Sequence, residues 1–396
     1  MIRRPDCSSL SSQLPPPGES AAAHCERLIQ RLRNEIAAGG GAIPFGRFME
    51  LALYAPGLGY YTAGSRKFGD EGDFVTAPEI SPLFARCLAR QIEQILPHTR
   101  QGEILEIGAG TGALAAQLIE ALAAAGVTIS RYRILDVSAD LRERQQERLR
   151  SSTLMQQGRI EWLDEWPQAP FEGVVVANEV LDAMPVERFR VGSERIEQAW
   201  VAWEDDRFVW RHVPASVELT AAVTGLGGAL EDGYTSEINL ALAPWFKSLG
   251  ACLSKGAAFF IDYGFPRHEY YHPQRHMGTL MCHYRHRAHP DPLVLTGLQD
   301  ITAHVDFTAV AEAGEQAGLT LLGYTTQANF LLGTGLISMV EQSDPADVKA
   351  YLELTRQVQK LTSPSELGEL FKVMALGRGI DEPLIGFSMR DLRGRL

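Results

Sequence analysis

The sequence predicts an α/β protein with a Rossmann-like, mostly parallel sheet and helices on both faces. Three observations point there. The first is the run EILEIGAGTGALAAQLIEAL, residues 103–122. Glu103 to Ile107 reads as a short buried strand, Gly108, Gly110 and Gly112 follow, and Leu114, Leu118, Ile119 and Leu122 then recur at helical spacing. The second is a series of later apolar runs, each ending in a polar residue: Tyr132–Leu135 before Asp136, Ile160–Leu163 before Asp164, and Gly173–Ala177 before Asn178. The last run is continuously apolar, as in a parallel strand covered on both faces. The third is the alternation of these runs with helical patterns at Leu141–Leu149 and Phe307–Ala317.

Taken in order, residues 1–20 are rich in Ser and Pro and read as a disordered tail. Residues 21–38 predict a helix with Leu28, Leu32 and Ile36 on one face, ended by Gly39-Gly40-Gly41. A second helix follows Pro44 and carries Phe45, Phe48, Met49 and Ala52. Residues 57–81 form a long loop rich in Gly, Tyr and Asp; its part Gly69–Ser81, with Asp70, Asp73, Thr76 and Glu79, reads as a lid or as an acidic turn before a capped helix, and that helix, Pro82 to Leu96, leads into the central strand. The segment 21–100 is thus expected to be an N-terminal helical and lid segment, with one sheet domain over 101–396. That domain carries expected insertions at about 188–243, 265–305 and 328–365. Residues 188–212 alternate as in hairpins on a separate layer. Trp245–Leu253 predicts a helix, Ala257–Asp262 a fifth core strand, Leu319–Tyr324 a sixth, 335–361 a helical stretch and Leu370–Leu376 a last strand. Residues 265–305 have no clear periodicity and hold seven of the ten histidines.

At 396 residues the chain can bury a large core. Its composition is that of an ordinary globular protein, 45% hydrophobic and 22% charged. The net charge of −12 disfavours nonspecific binding to nucleic acid or an anionic membrane. No apolar run approaches a membrane span, and no apolar core of a secretory signal follows the basic start. Five cysteines without a CxxC spacing suit reduced thiols and a cytoplasmic location.

The glycine turn implies a ligand, because without a Cβ the backbone can be approached closely, and the helix behind it offers free N–H groups. Gly108, Gly110 and Ala113 also satisfy the relaxed dinucleotide pattern, which leaves a dehydrogenase open. Glu106 weighs against it: a pyrophosphate passing close favours an apolar residue there, whereas a carboxylate suits a cationic ligand. Asp136, at the end of the second strand, stands where ribose hydroxyls are caught in such folds; Ser138 already fits the role of helix cap.

Several stretches together resemble the MidA-like methyltransferases: residues 57–81, EIGAGTGALA (106–115), ANEVLDAMPVERF (177–189), YYHPQRHMGTLMC (270–282) and QDITAHVDF (299–307). The resemblance covers about residues 21–390 and implies a class I methyltransferase fold and the cofactor S-adenosyl-L-methionine (SAM). By position it puts the cofactor site on Glu106, Gly108, Gly110, Gly112 and Asp136, where relatives often carry Glu in place of Asp136. Ala109 in the turn, Asp164 and Asn178 at strand ends, and Thr76 in the loop join this set. The family's mitochondrial member dimethylates an arginine symmetrically and assists complex I assembly. That implies a protein substrate, with a respiratory complex I subunit as one candidate; bacterial relatives can modify something else.

Methyl transfer is an in-line displacement, so the enzyme chiefly aligns and desolvates the nucleophile. Asn178-Glu179-Val180-Leu181 departs from the Asn/Asp-Pro-Pro-aromatic pattern used on base amino groups. Glu179 and Glu187 instead match the two-glutamate loop of arginine methyltransferases, where carboxylates meet a guanidinium fork. Asp182 is an alternative partner, and Glu187 reads equally as a solvated loop residue. His268, His272, His276, His283, His286 and His289 with Cys282 are irregularly spaced, so no metal is expected. A small-molecule methyltransferase and a non-catalytic SAM-binding assembly factor are the alternatives. Homodimer and monomer both stay open.

Overall fold

The computed structural model describes residues 14–64, 76–228, 230–344 and 346–396. Most of the expected N-terminal tail, and the part of the loop that carries Asp70 and Asp73, lie outside the described residues. The chain divides into two compact units, each assembled from three stretches. The first holds Met1–Phe74, Ala183–Ala241 and His268–His304; the second holds Val75–Asp182, Leu242–Arg267 and Val305–Leu396. The division therefore falls elsewhere than a boundary near residue 100. The helix Pro82–Ile95 shares the apolar core of the second unit, while two insertions share the unit of the N-terminal helices.

In the second unit the main sheet runs Thr320–Thr326, Phe371–Arg378, Leu253–Phe265, Phe171–Asn178, Glu103–Ile107, Arg131–Leu135, Ile160–Leu163. The last five strands in this order are parallel, and Phe371–Arg378 runs antiparallel to both its neighbours. The chain steps outward from Glu103–Ile107 through the second and third strands, then returns to the other side with Phe171–Asn178. Strand order thus reverses between Glu103–Ile107 and Phe171–Asn178, and the carboxyl ends of strands at such a reversal form a crevice for ligands.

Both faces of this sheet are covered, as the continuous apolar runs require. Ile104, Val174, Val176, Phe259 and Ile261 share one cluster with Leu88, Ile92, Leu114 and Leu118 of the helices Pro82–Ile95 and Ala113–Ala124. The next residue along the fifth core strand, Phe260, points the other way and meets Trp245 and Phe246 of the helix Leu242–Cys252. That strand spans Leu253–Phe265, longer than the run Ala257–Asp262 predicts, because Lys255 and Gly264 also find ladder partners. The helical stretch expected over 335–361 is two helices, Leu336–Glu341 and Val348–Thr362.

The first unit has its own core. Leu28, Leu32 and Ile36 of the helix Glu19–Ala38, and Phe45, Phe48, Met49 and Ala52 of the helix Phe45–Tyr54, gather with Val201 and Phe208. The expected hairpins are there: Glu187–Val191, Ile196–Glu204 and Arg207–Pro214 pair antiparallel, joined by Ala42–Pro44 and Thr235–Ile238. The aperiodic histidine-rich stretch contains a small antiparallel sheet of Met281–Tyr284, Arg287–His289 and Asp300–Thr302. Strands of three or four residues are too short to show a period, so they leave no sign in the sequence. Among the described residues no helix is long and apolar enough to cross a membrane.

Candidate functional site

The second unit concentrates the polar residues singled out in the sequence at the carboxyl ends of its strands. The first strand is buried throughout, and its turn carries Gly108, Gly110 and Gly112 at φ of 64°, 52° and 79°. This left-handed region costs any residue with a Cβ. Ala109 sits buried between them. Gly112 stands immediately before the helix Ala113–Ala124, whose first N–H groups face the turn.

Glu106 is wholly enclosed, and Tyr132 Oη donates to its Oε2 at 2.7 Å. Burial pushes its carboxyl up to about 7, against that hydrogen bond, and nearby Asp136 adds to the rise. A cationic ligand would relieve both effects. Asp136 is buried too, and burial raises its carboxyl despite its hydrogen bonds. Its Oδ1 accepts from the Ser138 N–H at 2.9 Å, and its Oδ2 accepts from Gln145 Nε2 at 2.8 Å. Ser138 caps the helix Ala139–Leu149 through its hydroxyl.

That helix supplies further polar residues to the turn, none of which its sequence pattern marks out. Gln145 Nε2 also donates to Gly110 O at 2.9 Å, and its Oε1 accepts from Trp162 Nε1 at 2.9 Å. Arg142 donates to the carbonyls of Asp136 and Leu163 and forms an ion pair with Asp164 at 2.8 Å, so the mostly exposed Asp164 is held at the end of the third strand. Arg148 meets Thr111 Oγ1 at 2.7 Å and Glu79 at 3.0 Å, and Thr111 donates to the same Glu79 oxygen. Thr76 stands just before the four-residue helix Ala77–Ile80, and its carbonyl accepts from the N–H groups of Glu79 and Ile80.

Across the strand-order reversal, the fourth strand ends in Asn178. Its Nδ2 donates to Glu179 Oε1 at 3.1 Å, and its Oδ1 is buried without a hydrogen-bond partner among the described residues. Glu179 has φ of 54°, a strained value for a residue other than glycine. Such strain persists where the surroundings enforce it, and here the enforcing group is Asp262. Its Oδ2 accepts from the N–H groups of Val180, Leu181 and Asp182 at 3.0–3.2 Å, and its Oδ1 from Tyr263 N at 2.9 Å. The Glu179 N–H meanwhile donates to Ile261 O at 2.9 Å. Asp262 is buried, and burial, then Asp182 and Glu179, push its carboxyl well above the usual range. Asp182 is buried beside it. The one sequence signal for Asp262 is a carboxylate at the end of the apolar run AAFFID.

The residues fit SAM. An orphaned acceptor, the Asn178 Oδ1, and the enclosed carboxylate of Glu106 lie at the two strand ends that border the reversal. Between them Gly108, Gly110 and Gly112, alternating with Ala109 and Thr111, hold the turn in left-handed conformations. Glu106 and Asp136 oppose a pyrophosphate beside the turn, and the cation that reaches it, Arg148, is paired with Glu79.

Glu187 belongs to the first unit, at the start of the strand Glu187–Val191. Its Oε2 accepts from Gln198 Nε2 at 2.9 Å and its carboxyl accepts from the Gly46 N–H; burial raises it. A Cβ on Gly46 would come within 2.5 Å of its Oε1. Glu187 is therefore half-buried and built into its own sheet. The histidines of the first unit are dispersed. His272 caps a turn through Nδ1, His286 sits in a tight hairpin at φ of 60°, and His289 is buried opposite Cys282. Among the described residues no three His, Cys, Asp or Glu side chains are grouped to hold a metal.

A family model described as "Putative S-adenosyl-L-methionine-dependent methyltransferase" matches residues 85–325. A crystal structure of a Burkholderia thailandensis superfamily member bound to S-adenosyl-homocysteine is 50% identical, with a TM-score of 0.92 over 97% of this chain and 100% of that one. Among curated proteins, "Protein arginine methyltransferase NDUFAF7, mitochondrial" of Danio rerio is 27% identical over 90% of this chain and 88% of its own length. The Drosophila melanogaster homologue of that name is 26% identical over 98% and 96%. The class I fold and the cofactor expected from the sequence are thereby shown.

Three outcomes follow for this site. Gly110→Leu abolishes S-adenosylhomocysteine binding, because a side chain enters ligand space at a strained φ, whereas Asp136→Ala weakens it by on the order of 1.5–3 kcal/mol; calorimetry reads both. Glu106 has its folded value above its unfolded one, so its contribution to stability is full below 4.5 and lost as pH rises through about 7. Unfolding free energies of the apoprotein from urea titration should fall across that window relative to Glu106→Gln, by on the order of a few kcal/mol; a difference that stays constant with pH would refute it. Chelation should leave cofactor binding and methyl transfer intact, and elemental analysis should find no stoichiometric zinc.

Proposed function

Because this chain belongs to the family of S-adenosyl-L-methionine-dependent methyltransferases whose model it matches, we propose that it transfers methyl groups to a protein arginine. The observation that carries the reading is the gathering of Glu179, Asp182 and Asp262 at the ends of the fourth and fifth strands, across the reversal from the glycine turn. Such a set favours a cationic acceptor over a neutral one. The names of the curated relatives support the same acceptor.

Bound SAM supplies a methyl carbon activated by its sulfonium. The chain's task is to present a nitrogen to it. An arginine arrives charged and with every nitrogen hydrogen-bonding outward. The Glu179 carboxylate can align the guanidinium and draw its charge to the far nitrogens, leaving the near one more nucleophilic. Asp262 does not reach the acceptor in this scheme; it holds the turn that aims Glu179. Asp182 is a further carboxylate to receive the proton released. Symmetric dimethylarginine on a respiratory complex I subunit is the product class the family resemblance supports. The free thiols of Cys25, Cys87, Cys252 and Cys282 support a cytoplasmic site of action, while the animal relatives are named as mitochondrial; fractionation reads the compartment.

Glu179→Gln keeps shape and removes charge, so methyl transfer from labelled SAM into extract of cells lacking the protein should fall by roughly two orders of magnitude. S-adenosylhomocysteine affinity should stay near wild type. Asp262→Asn should lower the rate by about tenfold or more through the loosened turn. Glu187→Gln separates scaffold from clamp: a lower melting temperature with the rate kept marks it as scaffold. Full activity of Glu179→Gln would sink the arginine reading.

A further inference from the structure

The buried amide of Gln145 ties the glycine turn to the carboxylate at the end of the second strand. Its Nε2 donates to both Gly110 O and Asp136 Oδ2, at 2.9 and 2.8 Å, which uses both amide hydrogens. Its Oε1 accepts the Trp162 indole N–H at 2.9 Å. The amide orientation is therefore fixed: turned over, its oxygen would face a carbonyl and a carboxylate, and its NH₂ would face the indole donor. Gln145 has no accessible surface, and its Cα, Cβ and Cγ lie within 3.2–3.5 Å of where a Cβ on Gly112 would stand. The helix thus approaches the turn as closely as glycine allows. A side chain spent this completely on two elements of a cofactor site does more than fill the core.

We propose that Gln145 is a positioning residue for the cofactor: its amide sets the separation of the Gly110 backbone from the Asp136 carboxylate and keeps that carboxylate turned toward the ribose. This rests on the assignment of Asp136 to the ribose. Charged and titratable groups around the bridge are Glu106 and Tyr132 from the first two strands, Arg142 and Arg148 on the same helix, Asp164 at the third strand, and Glu79. None of them can take over both donations.

Gln145→Glu, nearly isosteric, makes the proposal testable. Above the pKa of the new pair, two carboxylates and a carbonyl face one another without a donor. At lower pH one shared proton restores a single donation. Calorimetry with S-adenosylhomocysteine, each value divided by that of the wild type at the same pH, should show at least ~10-fold loss near pH 8 that mostly recovers near pH 5.5. Gln145→Met has no donor and should lose affinity by a similar factor at both pH values, without recovery. Trp162→Phe, which leaves both donations in place but frees the amide to turn, should weaken binding by a smaller factor and serves if the Gln145 variants do not fold. Equal, pH-independent losses in Q145E and Q145M, or unaltered binding in W162F, would overturn the proposal. Wild-type affinity in Asp136→Ala would instead remove the ribose assignment beneath it.

Discussion

The parallel pairing of Glu103–Ile107 with Phe171–Asn178 is the constraint on which the site depends. Ile107 stands opposite Ala177, so Gly108 and Asn178 leave the sheet side by side. A Cβ on Gly108 would come within 3.0 Å of Val180 Cγ2, so the turn and the Glu179 segment meet at close range. What enforces this register is not at the site. Val174, Val175 and Val176 are fully buried, and a slip by one residue would turn each into the wrong layer. The apolar core thus determines, to within one residue, where the polar ends come together.

Those ends are costly to bury. Glu106, Asp136 and Asp262 all have carboxyls raised by burial, and only part of that penalty is offset by Tyr132, Gln145 and the backbone of 180–182. Carboxyls held in so poorly solvated a place favour a nearby cation, which would relieve the penalty of ionising them. Electrostatic preorganisation of this type needs no movement at the moment of reaction.

Much of this was legible in the chain. Strand, glycine turn and helix at 103–122 show in the period of the apolar residues, and Asp136 and Asn178 show because each ends an apolar run. Glu106 was legible as a carboxylate where an apolar residue is usual. Gln145 and Arg142 were not, because a helix reading RERQQER looks like a solvated surface, and only the fold shows that one face of it lies on the glycine turn. Asp262 was visible as a strand end, yet its role depends on backbone N–H groups about eighty residues earlier. Glu187 reads in sequence as a partner for Glu179 or as a loop residue; what the sequence does not show is that the chain enters the other unit at Ala183 and that Gln198 and Gly46 bind its carboxylate there.

The passage at Ala183 is one of five: the chain changes unit at 74/75, 182/183, 241/242, 267/268 and 304/305. No contiguous fragment therefore contains one whole unit without part of the other. On the ribosome, the first unit has all of its strands only after Thr302 has emerged, and the main sheet of the second waits for Phe371–Arg378, inserted between strands made long before. Ordering of this kind defers the reward for early loop closures and slows folding. It also leaves interrupted chains open: a chain cut at 241/242 or 267/268 lacks both Phe371–Arg378 and the strands Met281–Tyr284 and Asp300–Thr302, so it exposes strand edges that later residues would cover.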